Sequence, residues 1–231
     1  MSSAINFYKH IPKKYSDGSK GKYKNYDKIK IEVPLRLLIV GSSGSMKTNC
    51  LLNIISQLNA WQKIYLCGRN INQPLYRFLI DILDENTLFT CENVDDLPQI
   101  EEFDPKLSNL LIFDDMICEN NTTLKKISSY FVRGRHVNIS SVFLSQSYFD
   151  TPKLVRKNCD YIILKKINTK KDLKMLLKEY NIDDNVDDVM NIYQKVSKLE
   201  PQNWLLIDLI TSDNSLKYRL NFSPINIQQQ Q

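Results

Sequence analysis

Apolar residues in this chain form short, nearly continuous runs, and segments with apolar residues at helical spacing separate these runs. A short apolar run that ends at glycine or aspartate is typical of a buried strand, whereas apolar positions three and four residues apart predict a helix. The predicted strands are 35–40, 63–68, 107–113, 139–145, 161–164 and 204–210, with a hairpin partner around 216–222. The predicted helices are 49–58, 74–83, 123–132 and 170–180. This alternation indicates an α/β domain with a mainly parallel sheet and helices on both faces.

The amino-terminal segment differs in character from the rest of the chain. Residues 1–30 are polar and contain eight lysines against two aspartates, whereas the whole chain has a net charge of +5. We therefore predict a basic arm over residues 1–30 and one folded domain over residues 31–225. A second basic cluster, at 153–178, contains eight lysines and one arginine against two aspartates. Such clusters suit a phosphate backbone as partner, although a solvated surface has the same composition.

The overall composition is that of a soluble globular protein, since 42% of the 231 residues are hydrophobic and 25% are charged. No apolar run reaches the roughly 18 residues of a transmembrane helix, so we expect no membrane insertion. The amino terminus also lacks the charged and apolar regions of a signal peptide. The five cysteines contain no C-x-x-C pair, which favours reduced thiols over a metal site.

A turn rich in glycine and serine separates the first predicted strand from the first predicted helix. Its sequence is Gly41-Ser42-Ser43-Gly44-Ser45-Met46-Lys47-Thr48. Strand, turn and helix in this order form the context of the phosphate-binding motif G-x-x-x-x-G-K-[ST], whose backbone N–H groups face the phosphates. Lys47 would bridge the β- and γ-phosphates of ATP, and Thr48 would ligate Mg²⁺. Met46 replaces the second glycine of the motif, so its side chain must point away from the nucleotide, which would lower activity or reshape the pocket.

Polar side chains also follow two later strands. The strand at 107–113 is followed by Asp114 and Asp115, an arrangement that delivers carboxylates beside a phosphate loop. Asp114 would hold Mg²⁺ and its water shell, and Asp115 would activate the attacking water, with Glu119 as a second candidate for that role. Gln146 follows the strand at 139–145 and would orient the water or sense the γ-phosphate, because ligands of open α/β sheets bind at the carboxyl ends of the strands.

A short basic segment, Arg133-Gly134-Arg135-His136, lies between these two strands. An arginine on an exposed loop can reach the nucleotide of a neighbouring subunit and stabilise the transition state there. A surface role or a role in contacting DNA explains Arg133 and Arg135 equally well. His136 has no evident metal partner in the sequence.

These motifs together resemble the viral genome-packaging ATPases of the FtsK/HerA superfamily, especially those of poxviruses, giant DNA viruses, virophages and polinton-like elements. The resemblance spans residues 35–221, and its later motifs are more specific than the phosphate loop. The segments that carry it are Gly41–Thr48, Phe113–Asp115, Arg133–His136 and Phe143–Phe149.

This resemblance implies a RecA-like P-loop NTPase core that forms a homo-oligomeric ring of five or six subunits and pumps double-stranded DNA into a capsid. It implies contact with capsid or vertex proteins, and a location in the viral factory of the host cytoplasm, in the nucleus or with the virion. It makes either Arg133 or Arg135 the finger that acts on a neighbouring subunit. The other implied site residues are Lys47 and Thr48 for the nucleotide, Asp114 and Asp115 as the Walker B pair, and Gln146 as the sensor.

Two other functions are compatible with the phosphate loop. A small-molecule kinase, such as a nucleoside kinase, shares the loop and has a similar length, and Arg69 or Arg77 could serve its lid. However, Asp114, Asp115 and Gln146 favour water as the nucleophile. The third hypothesis is a degenerate module that binds nucleotide or DNA without turnover. Its only support is Met46 in place of the glycine of the motif.

Overall fold

The computed structural model describes residues 23–168, 170–180 and 186–225, and within these ranges nine strands form one sheet. The strands are β1 (Arg36–Val40), β2 (Lys63–Gly68), β3 (Leu88–Cys91), β4 (Asn109–Asp114), β5 (Ile139–Ser145), β6 (Tyr161–Leu164), β7 (Leu205–Asp208), β8 (Tyr218–Leu220) and β9 (Ser223–Pro224). The helices are α1 (Tyr26–Ile29), α2 (Lys47–Leu58), α3 (Pro74–Ile82), α4 (Asn121–Arg133), α5 (Lys153–Asn158), α6 (Lys170–Glu179) and α7 (Val186–Ser197). Short 3₁₀ turns lie at Val94–Asp96, Ile100–Glu102, Gly134–Val137 and Asn214–Leu216.

The sheet is parallel over most of its width, with the strand order β3-β2-β4-β5-β1-β6-β7-β8-β9. All neighbours from β3 to β6 pair in parallel. The last three strands pair antiparallel. The predicted α/β fold with a mainly parallel sheet is therefore confirmed. Because β5 lies between β1 and β4, the carboxyl ends of these three strands meet at one edge, where open α/β sheets bind their ligands.

Alternate residues of the strands face two separate hydrophobic cores. In β1, Leu38 and Val40 pack into the core under α4, α5, α6 and α7, whereas Leu37 and Ile39 pack into the core under α2 and α3. Both faces of the sheet are thus covered by helices, which explains why β1 has no polar alternation in its sequence. Among the helices of the described ranges, none has the length and apolar character needed to cross a membrane.

The described elements without a clear signal in the sequence include β3, α5 and α7, besides the short α1 and β9. β3 lies at the edge of the sheet, and its Phe89 and Thr90 are exposed, so it has no apolar run. α5 is short and carries three basic residues. Its single buried position, Val155, is too little to give a helical apolar pattern in the sequence. α7 buries an apolar stripe, but its first turn is acidic and it follows a polar segment.

The part of the predicted basic arm that the structure describes, residues 23–30, packs against the domain. Ile29 is buried, as are Ile31 and Val33 just after it, and all three join the core under α2 and α3. The Arg219 guanidinium donates hydrogen bonds to the backbone oxygens of Ile29 at 2.8 Å and Lys30 at 3.2 Å. Residues 1–22 of the predicted arm lie outside the described residues.

Arg219 is fully buried and forms an ion pair with Asp208 on the neighbouring strand. Burial raises the pKa of the Asp208 carboxyl, and the positive charge of Arg219 opposes that rise. Two backbone N–H groups, from Ile210 and Thr211, also donate to Asp208. The Arg219 guanidinium, whose buried charge is neutralised by Asp208, therefore joins β7 and β8 to the amino-terminal segment.

Replacing Arg219 by methionine is expected to lower the free energy of unfolding by about 3–5 kcal/mol, because the variant buries the Asp208 carboxylate without its cation. Urea denaturation followed by circular dichroism measures this change. The matched control is Arg133→Met, since the pair between Arg133 and Glu101 is exposed and worth at most about 1 kcal/mol. A loss at Arg219 no larger than the loss at Arg133 would contradict the role assigned to the buried pair.

Candidate active site

A cleft of about 370 Å³ opens at the carboxyl ends of β1, β4 and β5. It brings together most of the residues that the sequence singles out, although they are far apart along the chain. The predicted site residues that line it are Ser43, Gly44, Ser45, Met46, Lys47, Thr48, Asp114, Asp115 and Gln146. The cleft is lined in addition by Asn49, Asn70, Gln73 and Leu75, which the sequence motifs do not mark.

The loop between β1 and α2 needs glycine at its start because there is no space for a side chain. A Cβ atom on Gly41 would lie 2.5 Å from the Cβ atom of Lys165 and 2.6 Å from the hydroxyl of Ser45. The next residue, Ser42, is hydrogen-bonded to the segment that follows β6. Its N–H and its hydroxyl both donate to the backbone oxygen of Lys166. The loop is therefore fixed on one side by the segment that follows β6.

Two residues of the loop adopt left-handed backbone angles. Gly44 has a φ of 74°, and Met46, which immediately precedes α2, has a φ of 64°. Glycine adopts this conformation without strain, whereas an L side chain does not. The methionine therefore occupies a backbone position that favours the glycine of the common motif, and this residue is 39% exposed at the lining of the cleft.

The amino group of Lys47 lies over the loop. It donates hydrogen bonds to the backbone oxygens of Gly41 at 2.9 Å and Ser42 at 3.2 Å. Burial lowers the pKa of Lys47, while the negative charges of Asp114 and Asp115 act in the opposite direction. The ammonium thus lies near the loop carbonyls and two carboxylates. A bound phosphate would add a negative charge beside it and so stabilise the charged form of Lys47.

Asp114 ends β4 and lies opposite the first turn of α3. Burial raises the pKa of its carboxyl, and the Tyr76 hydroxyl and the Lys47 charge lower it. Its Oδ2 atom accepts hydrogen bonds from the Tyr76 hydroxyl at 2.8 Å and from the Gln73 amide at 3.3 Å. The Gln73 oxygen in turn accepts a hydrogen bond from the Thr48 hydroxyl at 3.0 Å. A continuous set of hydrogen bonds therefore joins the phosphate loop to the end of β4.

Sequence reasoning missed Gln73 and Tyr76. They belong to no phosphate-binding motif, and Tyr76 reads as an ordinary apolar position of the predicted helix at 74–83. One signal was available, because the connection from β2 to α3 leaves the same carboxyl edge of a parallel sheet as the phosphate loop.

Asp115 stands on a left-handed turn after β4, with a φ of 57°. Its Oδ1 atom accepts a hydrogen bond from the Gln146 amide at 3.1 Å. Strained non-glycine backbone of this kind is often found at functional sites, where the surrounding structure enforces it. Glu119, the second candidate for the base, instead forms an ion pair with the exposed Arg69 at 2.6 Å and does not line the cleft.

Arg133 and Arg135 lie at the amino ends of the strands, on the opposite edge of the sheet from the cleft. Arg133 ends α4 and forms an exposed pair with Glu101 at 3.2 Å. Arg135 lies 3.6 Å from the buried Asp160, which precedes β6 and also pairs with Arg36 at the start of β1. Neither arginine reaches the cleft of its own chain.

The oxygen atoms in the cleft fit a magnesium ion bound together with a nucleotide. Mg²⁺ in phosphate sites takes one or two carboxylates and a hydroxyl, while phosphate and water complete its six positions. Thr48 and Asp114, joined through one amide, provide a hydroxyl and a carboxylate on adjacent elements. Within the described residues there is no cluster of three or more histidine, cysteine or acidic side chains that could hold a metal without a ligand.

Comparison with known proteins agrees with this geometry. Residues 22–222 match the family described as Poxvirus A32 protein. The DNA packaging protein OPG160 of Variola virus is 26% identical over 192 residues, a stretch that covers 77% of this chain and 69% of that protein. The protein of the same name from Vaccinia virus, strain Copenhagen, shares the same identity and coverage.

Solved structures show the same fold. The genome packaging NTPase B204 from Sulfolobus turreted icosahedral virus 2, in complex with AMP, superposes with a TM-score of 0.56 at 18% identity, covering 84% of this chain and 99% of that chain. Its complex with ATP-gammaS gives a TM-score of 0.57 at 17% identity, covering 84% and 98%. These likenesses confirm the predicted P-loop fold. With a family match across nearly all of the described residues, the chain belongs to the Poxvirus A32 protein family.

Proposed function

We propose that this protein is a Mg²⁺-dependent ATP hydrolase that moves double-stranded DNA during the packaging of a viral genome. The observation that carries the proposal is the convergence of a phosphate loop, two carboxylates and a glutamine on one cleft. The names of the poxvirus relatives, which describe DNA packaging proteins, support the DNA substrate. The B204 complexes with ATP-gammaS and AMPPCP support ATP as the nucleotide.

In this mechanism the backbone N–H groups of residues 41–48 and the N-terminus of α2 bind the phosphates, and Lys47 turns from the loop carbonyls to the β- and γ-phosphates. Thr48 and Asp114 would hold Mg²⁺, which would supply positive charge to the phosphate oxygens. The closeness of Lys47 to both carboxylates supports these roles, because the ammonium lowers the cost of placing anions in a partly buried cleft.

Asp115 and Gln146 orient the attacking water. The hydrogen bond between them fixes the carboxylate, and the left-handed turn directs it away from the strand. A carboxylate within reach of the water is the requirement for general-base catalysis, and a glutamine at the end of the next strand contacts both the water and the γ-phosphate. Gln146 therefore also reports whether the γ-phosphate is present.

The proposed motor is a ring of five or six copies in which Arg133 or Arg135 reaches the nucleotide of a neighbour. Both arginines lie far from the cleft of their own chain, which is compatible with action between subunits. The exposed lysines of the basic cluster at 153–178 would contact the DNA backbone, whereas Lys165 is buried and Arg156 pairs with Glu179. The ring would act at a capsid vertex in the viral factory of the host cytoplasm or in the virion; no finding supports the nucleus.

The full chain is expected to hydrolyse ATP with Mg²⁺, and double-stranded DNA at low salt should increase the rate, because phosphate contacts by lysine and arginine weaken steeply as salt rises. Lys47→Ala should lower turnover at least about 100-fold through the loss of charge stabilisation. A phosphate-release assay with and without DNA measures both effects. The matched control is Lys106→Ala, because Lys106 is exposed and lies outside the cleft.

Three results would contradict the proposal in different ways. Turnover that saturating DNA leaves unchanged at low salt would exclude a DNA motor. Transfer of phosphate to a nucleoside would indicate a kinase. Nucleotide binding by the parent chain without any turnover would indicate a degenerate module.

Asp115→Asn is expected to keep ATP affinity and lower turnover at least about 100-fold, because an amide cannot accept the proton of the attacking water. The substitution preserves size and can keep the hydrogen bond from Gln146. Displacement of a fluorescent nucleotide measures affinity separately from turnover. Asp150→Asn, at an exposed position on the same edge of the sheet, is the control. Equal turnover in the Asp115 variant and the control would remove Asp115 from the catalytic role.

Mixing of variants tests the arginine finger. A chain with Lys47→Ala has no working site of its own but has both arginines, whereas chains with Arg133→Ala or Arg135→Ala keep the site. If Arg133 or Arg135 acts in a neighbour, its alanine variant loses turnover alone and regains it when mixed with the Lys47→Ala chain. Recovery with one arginine variant and not with the other identifies the finger. Absence of recovery with both would exclude action between subunits by either residue.

A further inference from the structure

We propose that Gln73 is a positioning residue that presents both magnesium ligands, Thr48 and Asp114, in the state that binds the ion. The inference rests on the proposed function, because it assumes that these two side chains hold Mg²⁺ with ATP. Gln73 lies on the connection from β2 to α3 and belongs to neither the phosphate loop nor the acidic strand end.

The hydrogen bonds of Gln73 fix which end of its amide faces which neighbour. The amide nitrogen lies 3.3 Å from Asp114 Oδ2 and 3.4 Å from the backbone oxygen of Asn70. A backbone oxygen and a carboxylate oxygen can only accept, so the NH₂ group must face them. The amide oxygen must then face the Thr48 hydroxyl, which lies 3.0 Å away, and that hydroxyl must donate its hydrogen.

This direction of the hydrogen bond leaves the Thr48 oxygen able to bind a cation. A hydroxyl has one hydrogen and two lone pairs, and a bound cation needs a lone pair. Because Gln73 accepts the hydrogen, the lone pairs of the Thr48 oxygen remain available for the ion. Without that acceptor, the hydrogen would turn to another acceptor such as the Tyr76 oxygen, which also interacts with Thr48, and the hydroxyl would no longer be oriented for the ion.

Gln73 also orients the carboxylate of Asp114. Its amide and the Tyr76 hydroxyl, which is 2.8 Å away, both donate to Oδ2. Within the described part of the chain, no hydrogen bond reaches Oδ1. The two donors therefore stop the carboxylate from rotating and leave one oxygen for the ion. Groups that orient metal ligands in this way commonly change metal affinity by about 10- to 100-fold when they are removed.

The position of Gln73 is itself rigid. The residue immediately precedes α3, and its backbone oxygen accepts hydrogen bonds from the N–H groups of Tyr76 and Arg77. Pro74 restricts the backbone at the first position of the helix. Tyr76 and Leu79 anchor α3 in the core. An amide on this support needs little reordering to keep both contacts.

The test separates metal binding from catalysis. Mn²⁺, as a paramagnetic substitute for Mg²⁺, is titrated into the full chain with AMPPCP, and free Mn²⁺ is measured by electron paramagnetic resonance. Gln73→Met removes both polar atoms and keeps the length of the side chain. It should weaken Mn²⁺ binding about 10- to 100-fold and leave AMPPCP affinity in EDTA unchanged. The control Gln57→Met, at an exposed position of α2, should change neither quantity.

A second variant keeps the test decisive if Gln73→Met does not fold. Gln73→Ala also removes both polar atoms, at a half-buried position where a small side chain fits, and it should weaken Mn²⁺ binding in the same direction. Unchanged Mn²⁺ affinity in either folded Gln73 variant would overturn the inference even if the parent hydrolyses ATP. A parent that binds Mn²⁺ with AMPPCP but hydrolyses no ATP would refute the proposed function, and the inference would stand if the variants bind Mn²⁺ more weakly. A parent that binds no Mn²⁺ would overturn both.

Discussion

The proposed site depends on keeping the Asp114 carboxylate charged although it is partly buried. Burial alone favours the neutral acid, so the charge needs donors and a cation nearby. Tyr76 and Gln73 provide the donors, and Lys47 provides the cation. Tyr76 lies in α3, Gln73 immediately precedes α3, and Lys47 begins α2. The charge of one side chain on β4 therefore interacts with two other parts of the fold. The arrangement also explains why a tyrosine at a core position keeps its hydroxyl.

Two of the six non-glycine residues with left-handed backbone angles in the described ranges lie at this edge of the sheet. Met46 and Asp115 both adopt left-handed backbone angles, although neither is a glycine. Such conformations cost about 1–3 kcal/mol each and persist only where the surrounding structure enforces them. The two hydrophobic cores provide that support, because β1 and β5 are buried up to their last residues and β4 is buried up to Phe113. The strained turns direct the loop and the carboxylate into the cleft that these strands share.

Arg133 and Arg135, which are proposed to act on a neighbouring subunit, lie on a different side of the sheet from the residues proposed to act within one chain. Phosphate loop, carboxylates and glutamine lie at the carboxyl edge of the sheet, whereas Arg133 and Arg135 lie at the amino edge and are bound to carboxylates there. A ring that places the amino edge of one copy against the cleft of the next would combine the two. The pairs with Glu101 and Asp160 would then compete with the nucleotide for the guanidinium groups, which gives the neighbour a means to sense nucleotide binding.

The fold class, most of the parallel strands and the residues of the phosphate loop follow from the sequence alone, because each of these depends on local patterns. Apolar runs predict buried strands, and Lys47, Thr48, Asp114, Asp115 and Gln146 stand directly after such runs or begin a helix. Three features are visible only in the folded chain: β5 separates β1 from β4, residues 23–30 pack on the domain, and Gln73 joins Thr48 to Asp114. Strand order, the docking of a basic segment and the meeting of three side chains depend on contacts between residues distant along the chain. Local periodicity carries no information about such contacts, because it is the same whichever strands become neighbours.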